Sequence, residues 1–132
     1  MDTVPLDRRI SESQSTVINR FADKNNCIFL GRCADYYLRT RNNVIRIWIF
    51  NSEENALSCI QDAFGISEKE AAKAIRETNK RRGDYYEYFT SRKWKDPANY
   101  DLILNLEKLG IEGALSVMCS ILQTEDLGKT QY

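Results

Sequence analysis

Histidine is absent from the 132 residues. That removes a Ser-His-Asp triad, a Cys-His pair and every His-ligated metal centre from consideration. Net charge is absent too: Lys plus Arg and Asp plus Glu both number 19. A generally basic coat for nucleic acid and an acidic solvating tail are therefore not expected. The four cysteines, Cys27, Cys33, Cys59 and Cys119, form no C-x-x-C pair, which argues against a zinc ribbon or a thioredoxin-type site. They read as separate small hydrophobes. No stretch approaches the roughly 20 apolar residues of a membrane span, and Met1 to Arg9 holds no apolar signal-peptide core. A cytoplasmic location with no membrane partner is the expectation. Proline is limited to Pro5 and Pro97 and glycine to 6 positions, with no repeat and no low-complexity linker. One domain spanning 1–132 is expected.

What is there is a regular alternation of elements. Ile10, Val17, Ile18, Phe21 and Ala22 recur at helical spacing over residues 10–24. Cys27-Ile28-Phe29-Leu30 is a short apolar run that stops at Gly31 and reads as a buried strand. A short helix is expected over Ala34 to Arg39 and a turn at Asn42-Asn43. Val44 to Phe50, rich in β-branched and aromatic residues, is the most secure strand. Asn51 and Ser52 offer caps for a helix carrying Ala56, Leu57, Ile60 and Phe64, which Gly65 ends. Ser67 with Glu70 three residues later is a capping box for a long helix reaching at least Arg82 and up to Tyr88. Tyr100 to Asn105 reads as a third strand and Ile111 to Leu122 as a closing amphipathic helix, before a polar end. Strands alternating with helices predict an α/β fold with a parallel sheet flanked by helices in three layers. Ligands of such sheets sit outside the carboxyl ends of the strands, here Gly31-Arg32, Asn51-Ser52 and Asn105-Leu106.

Two segments could carry chemistry. Gly31-Arg32 sets a guanidinium at the ligand edge of the sheet, where its planar fork suits phosphate; the plainer reading is a surface ion pair. Lys73 to Lys95 holds eight basic residues against three acidic ones in an otherwise balanced chain, with Tyr85, Tyr86, Tyr88, Phe89 and Trp94 interleaved. A cationic helix near a sheet edge suits a phosphate-transfer lid, since the transferred group spreads its charge over several oxygens. The same composition suits stacking on single-stranded RNA, or a solvated face with the aromatics in the core. Gly128-Lys129-Thr130 mimics the end of a phosphate loop, but Gln123 stands where the loop needs its first glycine and the chain ends two residues later.

The run Cys27 to Leu38 (CIFLGRCADYYL), the run Asn79 to Thr90 (NKRRGDYYEYFT), Trp94 and Tyr100-Asp101-Leu102 together resemble the cytidylate kinase-like family of P-loop nucleoside monophosphate kinases, over roughly residues 12 to 122. The resemblance implies a P-loop kinase-like fold and ATP- and magnesium-dependent phosphoryl transfer to a nucleotide or similar small acceptor. It implies that Arg32 and Arg82 are catalytic and that Arg32, Asp35, Arg76, Arg81 and Arg82 bind phosphate, with Asp35 as a neighbour of magnesium and no metal held by the protein alone. Asn79 stands where the family's lid motif Asp-x-x-Arg has its aspartate, and Leu30 and Cys33 replace the aspartates of Asp-Gly-Arg-Asp, so CMP is not implied as the acceptor. Family members open with a strand and a glycine-rich phosphate loop, which these residues do not contain. The domain is thus expected to be N-terminally incomplete, to lack the central strand of its sheet, and to be inactive alone. Its open sheet edge is expected to favour a non-catalytic binding or oligomerisation role, with a second copy or another chain as partner.

Overall fold

A computed structural model describes residues 5–124. The polar end and the Gly128-Lys129-Thr130 mimic lie outside the described residues, apart from Gln123 and Thr124. The elements run α1 (Leu6–Lys24), α2 (Ala34–Tyr37), β1 (Ile47–Phe50), α3 (Glu53–Phe64), α4 (Glu68–Thr90), a 3-10 turn (Pro97–Asn99), β2 (Leu102–Asn105) and α5 (Leu106–Leu122). The chain divides into two compact units. One holds the residues up to Val44 with Arg82–Asn99; the other holds Ile45–Arg81 with the residues from Tyr100 onward. Helix α4 begins in the second and ends in the first.

The first unit is built on aromatic packing. Ile18 of α1, Cys33, Ala34, Tyr37 and Leu38 around α2, and Tyr86 of α4 are its buried core. Phe29, Tyr36, Val44, Tyr85, Phe89 and Trp94 pack around them half-buried. Trp94 lies so close to Gly83 that a Cβ there would sit 3.3 Å from the indole, so the missing side chain is what lets the ring reach the helix. Hydroxyl contacts add direction: Ser11 and Tyr37 at 3.0 Å, and the Gln14 amide with the Tyr85 phenol at 2.8 Å.

The second unit contains the sheet. β1 and β2 pair in parallel, with Ile47 opposite Leu102 and Phe50 opposite Asn105. The ladder is anchored at its start: the Asp101 amide donates to the Arg46 carbonyl at 2.8 Å, and the Arg46 amide donates to the Asp101 carboxylate at 2.7 Å. The caps predicted at Ser52, Gly65, Ser67 and Glu70 are in place, and of Asn51 and Ser52 it is Ser52 that caps α3. Ser52 Oγ accepts from the Asn55 amide, Gly65 closes α3 in the left-handed region, and Ser67 and Glu70 cap each other reciprocally. The Ser67 bonds hold the Glu70 carboxyl below its usual range. Gly110 (φ 68°) interrupts α5, so the regular helix starts at Ile111 as the amphipathic pattern predicts.

The sheet has two strands where three were expected. Cys27 to Leu30 forms no strand; Ile28 and Leu30 are 89% and 88% exposed, and only Phe29 turns inward. Strand propensity is not enough. A run of apolar residues becomes a strand when its amides and carbonyls find a ladder, and among the described residues this one finds none. The architecture is therefore α/β, mostly helical, with a small parallel sheet. Among the described residues no helix is long and apolar enough to cross a membrane.

Candidate functional site

The segment joining the unpaired run to α2 has unusual backbone geometry. Gly31, Arg32 and Cys33 all have positive φ, at 66°, 55° and 58°. A left-handed conformation costs a non-glycine residue roughly 1–2 kcal/mol, and residues held there mark places where the surrounding structure dictates the backbone. Here the anchor is visible. Cys33 is 3% exposed, its carbonyl accepts from the amides of Tyr36 and Tyr37 at 3.0 Å, and the Ala34 amide closes the turn onto the Gly31 carbonyl at 3.2 Å. Burying Cys33 leaves Arg32 on the outside of the turn. Burial pushes the Cys33 thiol up to about 11, the Asp35 charge adds to this, and the Arg32 charge opposes it.

Arg32 faces α4. Its guanidinium carbon lies 5.8 Å from the Tyr85 ring centroid. Arg82 stands one turn before Tyr85 and Tyr86 on the same helix, so the i,i+3 and i,i+4 relations put it on the face that Tyr85 presents. Asp35, on α2, accepts a hydrogen bond from the buried Tyr86 phenol at 2.8 Å. Thus Arg32, Asp35 and Arg82 belong to one unit and converge on one stretch of α4. Arg76 and Arg81 lie on the part of α4 that belongs to the second unit; Arg81 donates to Thr78 Oγ1 at 3.3 Å.

Other cations in the first unit were not singled out by sequence reasoning. Arg39 and Arg92 both lie over Tyr36, with guanidinium carbons 4.0 and 5.0 Å from its centroid. Arg39 also donates to the Tyr36 carbonyl at 2.8 Å. The Tyr36-to-Arg39 spacing of three was a sequence signal, but the approach of Arg92 from 56 residues away was not. A hollow of about 420 Å3 runs along a separate face of α1, lined by Arg9, Glu12, Ser13, Thr16 and Val17. Among the described residues no group of three or more His, Cys, Asp or Glu is placed to hold a metal ion.

What this arrangement can do is attract and orient an anion. Arg32 and Arg82 make no ion pair with a carboxylate among the described residues, whereas Arg41 is paired with Asp23 and Arg46 with Asp101. Unpaired guanidiniums at the surface retain their donors for a ligand.

The model of the cytidylate kinase-like family matches residues 1–108. A crystal structure of an uncharacterized protein from Eubacterium ventriosum ATCC 27560 shares the fold with a TM-score of 0.83 at 23% identity, covering 91% of this chain and 76% of that one. No curated protein matches.

Proposed function

Since this chain belongs to the cytidylate kinase-like family, we propose that its first unit binds the phosphate of a nucleotide or similar small acceptor, with Arg32 and Arg82 as the cations that hold it. The observation that carries the reading is the left-handed turn Gly31–Cys33, which fixes Arg32 over Tyr85 on the helix that bears Arg82. Two guanidiniums on a common face match the charge of a phosphate monoester and would stabilise charge on a transferring phosphoryl group. Asp35 carries the wrong sign for phosphate. Its bond to Tyr86 gives it a positioning role, latching α2 and its turn to α4. Arg76 and Arg81 are not assigned to this contact.

The family reaction uses ATP and magnesium. The residues described fit an acceptor phosphate. They do not fit a triphosphate cradle, because the 132 residues contain no Gly-x-x-x-x-Gly-Lys-Ser/Thr loop to supply its backbone amides. No step through ATP is therefore derived, and the proposal for these residues alone is binding without turnover. The test is calorimetric titration with a panel of nucleoside monophosphates. Arg32→Gln and Arg82→Gln should each weaken binding about tenfold or more, the worth of a charge-assisted hydrogen bond. Equal affinity in wild type and both variants would refute the assignment. Nucleotide-dependent ADP release that Arg32→Ala abolishes would show that the chain carries out the transfer itself.

The exposed apolar stretch at Ile28 and Leu30 favours a second reading, a non-catalytic module whose open edge is covered by a second copy or another chain. It expects a dimer by light scattering that Ile28→Lys disperses; a monomer at every concentration removes the self-association form of it.

A further inference from the structure

Cation–π contacts occur about once per 70–80 residues in proteins, so two guanidiniums on a single ring concentrate positive charge in a way that calls for a cause. Arg39 and Arg92 do this at Tyr36, 4.0 and 5.0 Å from its centroid. Neither makes an ion pair with a carboxylate among the described residues, unlike Arg8, Arg41, Arg46 and Lys73. Among the described residues, the only side-chain hydrogen bond of either is the one from Arg39 to the carbonyl of Tyr36 itself. Most of their N–H donors therefore have no partner among the described residues, and the two like charges are gathered at one ring.

The ring and one of the arginines are held in place. Tyr36 is half-buried, packs on the core and meets Tyr37 edge-on at 5.9 Å. Its hydroxyl makes no hydrogen bond among the described residues, so a donor sits unused on the ring that both guanidiniums approach. Arg92 follows Ser91, a non-glycine residue at φ 56°. Its amide donates to Thr90 Oγ1 at 3.1 Å, and that buried hydroxyl donates to the Tyr86 carbonyl at 2.7 Å. The chain thus makes a left-handed step just after α4, a conformation that costs roughly 1–2 kcal/mol, and that step leads directly into Arg92.

We propose that Arg39, Arg92 and the Tyr36 hydroxyl form an anion site for a phosphate dianion, distinct from the contact built on Arg32 and Tyr85. Two guanidinium forks and a phenol supply donors to three phosphate oxygens. A dianion neutralises both cations at once, which a monocarboxylate cannot do. The shared chemistry is the phosphate group, whether as inorganic phosphate or as the terminal phosphate of a nucleotide.

The test follows the arginine Nε–Hε signals of the full chain by NMR. Inorganic phosphate and a nucleoside 5′-monophosphate are titrated separately, each against sodium chloride at matched ionic strength. Arg39 and Arg92 should move together on one saturating curve. Arg92→Gln should weaken the response at Arg39 about tenfold or more, and Arg92→Lys should restore only part of it, since lysine keeps the charge but loses the fork. Arg32→Gln should leave the curve in place, which separates this site from the proposed nucleotide contact. Saturation with both ligands identifies free phosphate as sufficient; saturation with the nucleotide alone assigns a phosphate ester; either supports the site. A linear response shared with chloride, an Arg39 response that Arg92→Gln does not weaken, or loss of the curve in Arg32→Gln overturns it.

Discussion

Replacing Gly31 by alanine tests the turn on which the functional reading stands. The residue has φ 66°, and a Cβ built there meets nothing within 4 Å. The cost of Gly31→Ala is therefore conformational, with no clash to confuse it. A left-handed alanine costs roughly 1–2 kcal/mol. Alanine also restricts the unfolded chain, which returns roughly 0.4–1 kcal/mol. The net expectation is a loss of about 1 kcal/mol and a fall in Tm of about 4 °C. Relaxing the turn instead of tolerating it would break the bond from Ala34 to the Gly31 carbonyl and draw Cys33 from its buried position, which makes the loss larger. Trp94 lies in the first unit and Trp48 in the second, so urea unfolding followed by tryptophan fluorescence in a Trp48→Phe background reports on the unit that matters. The same variant should blunt the response of Arg32 to a nucleoside monophosphate. An unchanged or raised midpoint for Gly31→Ala would refute the left-handed turn, and with it the reason given for where Arg32 points.

Three further outcomes are expected. Tyr86→Phe keeps the buried ring but removes the phenol that Asp35 accepts from; the stability loss should be about 1.5–3 kcal/mol by denaturant titration, and a neutral result would mean the latch contributes nothing. At neutral pH an alkylating reagent followed by mass spectrometry should modify the exposed Cys27, Cys59 and Cys119 quickly and the buried Cys33 only on unfolding; four equally fast thiols would contradict its burial. The raised Cys33 value means the fold prefers the neutral thiol, so this stabilisation is complete below the ordinary value of 9.0 and fades as pH rises toward about 11. Ser67→Ala should lower the Tm by a few degrees through loss of the α4 cap. Because Ser67 depresses the Glu70 carboxyl, that contribution is present above the ordinary carboxylate range and lost as pH falls through the depressed value, so wild type and variant should converge in acid.

The elements that the sequence made legible are those decided by local chemistry. Val44 to Phe50 contains β1 because β-branched and aromatic residues favour an extended backbone, and Ser52, Gly65, Ser67 and Glu70 mark helix ends by side chains that bond within a few residues. The crossovers between β1 and β2 demanded a parallel pair, which is what forms. Features that depend on distant contacts were hidden. Cys27 to Leu30 is an apolar run that reads as a strand, yet pairing depends on what lies beside it. The positive φ of Arg32, Cys33 and Ser91 goes against residue preference and is dictated by the burial of Cys33 and Thr90. The meeting of Arg39 and Arg92 on Tyr36 needs the whole first unit to be folded.

The basic and aromatic segment between Lys73 and Lys95 shows why composition left several readings open there. Stacking on single-stranded RNA requires exposed rings. Tyr86 is 6% exposed and donates to Asp35, while Tyr85, Phe89 and Trp94 pack against the core. Tyr88 is the exposed one, at 62%, and its hydroxyl is bound to Asp7. The aromatics thus secure the helix, and the cations are what remains at the surface. A helix fixed by its rings carries Arg82 one turn before Tyr85, the ring that Arg32 approaches. Within this stretch of helix the rings that could stack on a base are already packed into the protein or bonded to it, which is what composition alone did not reveal.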